Sequence, residues 1–389
     1  MICLSSRKLT PFVSSAPEIS PTVGGNLGRV TELNLTDEHV LVSSRGGLGR
    51  ITLNRPRALN ALSLDMIRTI SGVLDDWREN TDVETIVIDS TDPRGLCAGG
   101  DVRALREAII AGQMHEAAEF FRAEYAMNAA IAEYPKPIVA IANGITMGGG
   151  IGIAGHASHR IVTETSKLAM PETRIGFTPD VGGTWLLAHA PGRLGEYLGL
   201  TGTTMNASDA IATGFADYFV PFERVSSLIE ALETRADPST VTELILLFDE
   251  TAEPSTLVAE RGWIDDAFGR GSVAEIAERL NELSTDAEVG AHAAAALQLL
   301  TEMSPTSLAV TLASVRHART LDGVRAVLAQ EFNLADWLWA ESNDMVEGIR
   351  AQLVDKDRNP HFLPATIAEV PADTGARALA HRATPPLWN

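Results

Sequence analysis

Hydrophobic positions fall into a regular pattern from about Glu32 onward. His39-Val40-Leu41-Val42 and Ile51-Thr52-Leu53 flank the turn Arg45-Gly46-Gly47-Leu48-Gly49, which predicts a β-hairpin. Behind Ser63, a good N-cap, Leu64, Ile67, Ile70, Leu74 and Trp77 recur at 3.6-residue spacing, so a helix is predicted over Leu64 to Arg78. Thr85 to Asp89 and Ile138 to Ile141 are short continuous apolar runs and predict buried strands; Val102 to Ile110 and His115 to Glu133 predict helices between them. Strands alternating with helices predict an α/β core. Past Val220 the β-branched runs give way to segments rich in Ala, Leu and Glu (Ala274 to Leu283, Val289 to Glu302, Leu321 to Trp339), which predict a mostly helical C-terminal half. Pro221 and Asp237-Pro238 are the plausible joints, and no internal repeat is visible.

The 389 residues allow two to three domains or one large one with appendages, and 45 % hydrophobic with 21 % charged residues is ordinary globular composition. The division expected is a loose extension over 1–34, an α/β core over 35–220 and a helical region over 221–389. A net charge of −20 repels nucleic acid and anionic membrane surfaces, so neither is an expected partner. Cys3 and Cys97 alone offer neither a disulfide framework nor a cysteine zinc site. No apolar run approaches membrane-spanning length, and the N-terminus lacks a signal-peptide core and is poor in arginine for a transit peptide, so a cytoplasmic location is expected.

Several motifs mimic known chemistry. Gly150, Gly152 and Gly155 fit G-x-G-x-x-G, but Asn143 to Gly149 separate them from the preceding strand, the wrong context for a dinucleotide site. Cys97 lies in a glycine-rich loop and reads better as a packing residue than as a nucleophile. The histidines have no metal spacing, and there is no G-x-S-x-G elbow. What remains is two glycine loops and two carboxylates. Ala98-Gly99-Gly100-Asp101 follows a strand and opens a helix, leaving backbone N–H groups free for an anionic oxygen, and Met147 to Gly152 repeats the arrangement after the strand ending at Ile141. Two amides from two loops could converge on one carbonyl oxygen. Glu172 and Asp180 follow, eight positions apart, in a stretch whose prolines and glycines forbid one continuous helix; such carboxylates serve as base or nucleophile, or as cap or ion-pair partner of Arg174.

These residues, with Ile51 to Leu62, Lys136-Pro137 and Asn143-Gly144 in the same order, resemble the crotonase (enoyl-CoA hydratase/isomerase) superfamily. The resemblance implies a crotonase-like spiral of ββα units that binds an acyl-CoA thioester, its carbonyl oxygen held by the amides of Gly100 and Gly149, with Ala98, Gly99 and Asp101 beside the substrate. Met170 to Thr173, Pro179 to Gly183, Ser304 to Leu308 and Glu347 to Ala351 extend it toward the acyl-CoA hydrolase branch over nearly the whole chain. It implies Glu172 and Asp180 as catalytic carboxylates and Glu124 as a substrate contact, a residue that reads otherwise as a solvated helix position. A hydratase of the superfamily would carry a second glutamate where this chain has Gly152. Neither metal nor redox cofactor is expected, coenzyme A being part of the substrate. Arg55, Arg57, Arg103 and Lys136 are the candidate partners for its phosphates, and a homo-oligomer is implied unless the long C-terminal segment covers that surface. The alternatives are a hydratase or isomerase on the same fold and a non-catalytic scaffold that binds CoA or a partner.

Overall fold

The computed structural model describes residues 37–234 and 240–388, so the predicted N-terminal extension and the Asp237-Pro238 joint lie outside the described residues. The predicted hairpin is β1 (Val40–Arg45) and β2 (Leu48–Leu53), antiparallel and closed by Gly46-Gly47. It opens a six-stranded sheet in the order β1, β2, β3 (Thr85–Ser90), β5 (Ile138–Ile141), β7 (His159–Val162) and β9 (Tyr218–Phe219). Beyond the hairpin every neighbouring pair is parallel, so each connection must cross over. The crossovers hold α1 (Leu64–Arg78), capped by Ser63 as the sequence predicts, then α2 (Val102–Ile110) and α3 (Met114–Ala132).

Because side chains alternate across a strand, the sheet needs cover on both faces. Ile86, Ile88, Ile138 and Ala140 enter the main core, whereas Val87, Val139, Ile141 and Ile161 face a second cluster with Leu228, Leu232 and Ile245 from the helices Phe222–Thr234 and Val241–Leu246. The predicted helices of the last third are present as Val273–Leu283, Gly290–Thr301 and Val324–Glu341. Their buried residues join the main core, which runs from Val40 to Ala383.

A second, three-stranded sheet escapes the sequence reading. Its strands, β4 (Gly95–Cys97), β6 (Ile145–Met147) and β8 (Lys167–Ala169), have three residues each and are parallel in the order β4, β6, β8. The second glycine loop therefore follows β6, not the strand ending at Ile141.

Candidate active site

The small sheet explains why segments distant in sequence meet. Its parallel strands end at one edge, and at that edge each delivers a site segment: Ala98 to Gly100 after β4, Gly148-Gly149 after β6, and Met170 to Glu172 after β8. Ligand sites of parallel α/β sheets lie at such carboxyl ends.

Gly99 (φ +113°) and Gly148 (φ +49°) take backbone conformations that side-chain-bearing residues rarely adopt, and each immediately precedes one of the two expected amides, Gly100 and Gly149. Leu62 bridges the first loop in parallel, donating its N–H to Gly99 O at 2.9 Å and accepting from Asp101 N at 2.9 Å. In that register the N–H of Gly100 points away from Leu62. Gly149 is the first residue of α4 (Gly149–Ala154), where the N–H has no intrahelical acceptor. A Cβ built on Gly149 would lie 3.3 Å from Gly100 N and 2.6 Å from Glu124 Oε1, and one on Gly148 would lie 3.2 Å from Glu172 Oε1. Both amides and both glutamates thus border one small space. The G-x-G-x-x-G match falls largely within α4, whose amides serve the helix.

The carboxylates are buried: Glu124 is 2 % exposed, and Glu172 and Asp180 are 6 % exposed. Among the described residues, Oε1 of Glu124 and Oε2 of Glu172 have no hydrogen-bond partner. Arg174 pairs with Glu302 at 2.6 Å and leaves Glu172 unneutralised. Burial, then the charge of Asp180, pushes the Glu172 carboxyl well above the usual range. Glu124 rises for the same first reason, with Asp180 and Glu172 adding to it. Asp180 is pushed up to about 7 by burial, against the opposing pull of the Tyr125 hydroxyl, which donates to its Oδ2 at 2.8 Å. Glu124 is therefore no solvated helix residue: it shares the inner side of α3 with Tyr125.

Two further residues give no signal in the sequence. Asn128, one turn beyond Glu124 and fully buried, has both amide atoms unpartnered among the described residues, and a Cβ on Gly152 would fall 2.6 Å from its Nδ2 and 2.8 Å from Val181 Cβ. No side chain fits at 152. Glu331, on the helix Val324–Glu341, is 0 % exposed and accepts from Gly182 N (2.7 Å), Thr184 N (3.1 Å) and Thr184 Oγ1 (2.5 Å). Burial pushes it up to about 8. The segment it holds opens α5 (Gly183–His189) just past Asp180.

The remaining predicted positions have the following surroundings. Asp101 caps α2 and pairs with Arg55 at 2.9 Å, and Ala98 lies exposed on the loop. Burial pushes the Cys97 thiol up to about 12, consistent with a packing residue. Among the basic candidates, Arg103 donates to Leu353 O and Lys136 binds Trp77 O and Asn80 O at the end of α1, while Arg57 stays exposed. Arg55 borders a cavity of about 590 Å³ shared with His39, Ser63, Arg68 and Thr69 and with the acids Asp37, Glu38 and Asp65.

A family model described as enoyl-CoA hydratase/isomerase matches residues 48–379. The chain is 40 % identical over 339 residues to a Danio rerio protein named 3-hydroxyisobutyryl-CoA hydrolase, mitochondrial, covering 85 % of this chain and 86 % of that protein. Among solved structures it is similar to one titled a carnitinyl-CoA dehydratase from Mycobacterium thermoresistibile (TM-score 0.83, 40 % identity, 90 % of this chain and 98 % of that one). It is also similar to one titled an enoyl-CoA hydratase from Rhodobacter sphaeroides 2.4.1 (TM-score 0.80, 43 % identity, 88 % and 97 %). These relatives carry the names of two kinds of reaction, hydrolysis of a thioester and addition or removal of water.

Proposed function

The chain belongs to the enoyl-CoA hydratase/isomerase family and is an enzyme, and from that premise we propose that it hydrolyses an acyl-CoA thioester, 3-hydroxyisobutyryl-CoA, to 3-hydroxyisobutyrate and CoA. One observation carries the choice of hydrolysis over hydration. The position where a hydratase of the family would hold its second glutamate is Gly152, closed by Asn128 and Val181, while the second carboxylate of the cluster is Asp180. Such a site has no glutamate at 152 to serve as the second acid of a hydratase, and its acid–base pair for a carbonyl is Glu172 with Asp180, Glu124 lying beside them.

In the proposed reaction the thioester carbonyl oxygen sits between the amides of Gly100 and Gly149, which accept the charge of the tetrahedral oxyanion. Glu172 supplies the attack, either by adding to the carbonyl carbon or by taking a proton from water that adds. Collapse of the oxyanion breaks the C–S bond. Asp180 is the proton donor to the departing thiolate: Tyr125 occupies its Oδ2, leaving Oδ1 to carry the proton, and a value near 7 keeps a substantial protonated fraction at working pH. Glu124 and Asn128 line the side where the acyl hydroxyl would lie. This chemistry asks for neither metal nor redox cofactor. A place in valine breakdown follows from the substrate. The Danio rerio relative is named as mitochondrial, and a cytoplasmic location remains part of the proposal to be checked by fractionation.

The test is thiol release from 3-hydroxyisobutyryl-CoA followed beside loss of the double bond of crotonyl-CoA. Free CoA from the first without hydration of the second is expected; hydration without thiol release would overturn the hydrolase reading.

The Asp180 carboxyl also makes stability depend on pH. Its folded value of about 7 lies above its ordinary 3.8, so the native state binds the proton more tightly. The stabilisation is full below about pH 4 and is lost as pH rises through 7. Asp180→Asn keeps an oxygen that can accept from Tyr125. It is expected to melt above the wild type at pH 8, with the gap closing at pH 4, while kcat falls about 10²-fold or more; calorimetry at both pH values and a thiol-release assay check this.

A further inference from the structure

We propose that Glu331 is a positioning residue for Asp180, acting through the turn that follows it; this rests on the reading of Asp180 as the proton donor. Asp180 to Gly183 form a turn closed by Gly183 N donating to Asp180 O at 2.7 Å. Its two central residues, Val181 (φ +54°) and Gly182 (φ +77°, ψ 5°), both have positive φ, the signature of type I′ geometry. Glycine, asparagine or aspartate is expected first in such a pair, and a β-branched valine there is an outlier. The surroundings must therefore impose the conformation.

Four hydrogen bonds do so. Glu331 Oε2 takes the N–H of Gly182, and Oε1 takes the N–H and hydroxyl of Thr184. His156 Nε2 lies 2.9 Å from Val181 O, and burial holds this imidazole at about 4, hence neutral, with Nε2 as the donor. The same C-terminal helix reaches Asp180 by a second route, because Phe332 packs edge-on against Tyr125, whose hydroxyl binds Asp180. Glu331 touches no reacting atom; it fixes the backbone from which the Asp180 side chain springs.

Glutamine is the informative replacement. Its carboxamide has one oxygen, so either Gly182 or Thr184 must face an –NH₂ group, donor against donor. We measure kcat and KM for thiol release by the wild type, Glu331→Gln, Asp180→Asn and the double variant, with melting curves and circular dichroism to verify folding. Glu331→Gln should lower kcat about 10- to 100-fold with KM changed less than about threefold, the size of effect that misplacing a catalytic group produces. The decisive figure is the double variant: because Glu331 acts through Asp180, its loss should add nothing measurable to Asp180→Asn. Wild-type kcat in Glu331→Gln, or losses that multiply in the double variant, would overturn the inference while leaving the hydrolase reading intact. Wild-type kcat in Asp180→Asn would instead overturn the reading of Asp180. Should Glu331→Gln fail to fold, Thr184→Val, which removes only the hydroxyl donor, replaces it in the same cycle, with a few-fold loss expected in the wild-type background and none in Asp180→Asn.

Discussion

Glu172→Gln is expected to reduce kcat for thiol release by about 10²- to 10⁴-fold, with KM little changed, whichever way Glu172 delivers the attack. The side chain is isosteric and belongs to the first residue of the turn Glu172–Ile175, just past β8, so that turn should keep its shape. What changes is chemistry alone: a carboxamide neither adds to a thioester nor takes a proton from water. A single turnover of the wild type in ¹⁸O-water tests the covalent route. Label on Glu172 means that the carboxylate added to the carbonyl and was regenerated by water attacking its own carbonyl carbon; label only in the product acid is the pattern both of direct attack by water and of anhydride hydrolysis at the acyl carbon. Glu172→Gln with near-normal turnover would remove the central residue of the mechanism.

The second large effect is expected from Gly149→Ala. The new Cβ would lie 2.6 Å from Glu124 Oε1, 3.1 Å from Leu62 Cδ1 and 3.3 Å from Gly100 N. The methyl group thus enters the space that the carbonyl oxygen would occupy between the two amides in the proposed reaction. Loss of one oxyanion donor costs about 10²–10³ in kcat, and a loss of that size or larger is expected here. Folding should be little affected, because alanine favours a helix by up to about 1 kcal/mol over glycine and, among the described residues, Glu124 Oε1 has no partner to lose by moving. A folded, inactive Gly149→Ala would tie the defect to the oxyanion site; an active one would place the carbonyl oxygen elsewhere.

The fold was legible where an element is long enough to show a period. α1 with its Ser63 cap, β3, α2 and the buried strand β5 appear within a residue or two of their predicted places, and the hairpin is where it was predicted but with strands that run on to Arg45 and Leu48. The small sheet was not, since three residues make no periodic pattern, and the strand β6 hides between Asn143-Gly144 and the glycines. In the site, the two glycine loops and the pair Glu172 and Asp180 could be picked out by residue type, but nothing in the spacing brings them together; the shared edge of β4, β6 and β8 does. Glu124 needed the resemblance, because one acid in a helix full of polar residues looks solvated until α3 is seen buried. Asn128 and Glu331 had no signal at all. An amide earns attention only when its partners are missing, and the three groups that meet Glu331 are 147 and 149 positions away.

That separation orders events on the ribosome. Gly182 leaves the exit tunnel 149 residues before Glu331 does, which at synthesis rates of about 5–20 residues per second is roughly 7 to 30 s. Through that interval the nascent chain already holds both glycine loops and Glu172, but the valine turn beside Asp180 has no carboxylate to hold it. Thioesterase competence is thus a late acquisition of the growing polypeptide, gained when its last third docks and not when the sheets close.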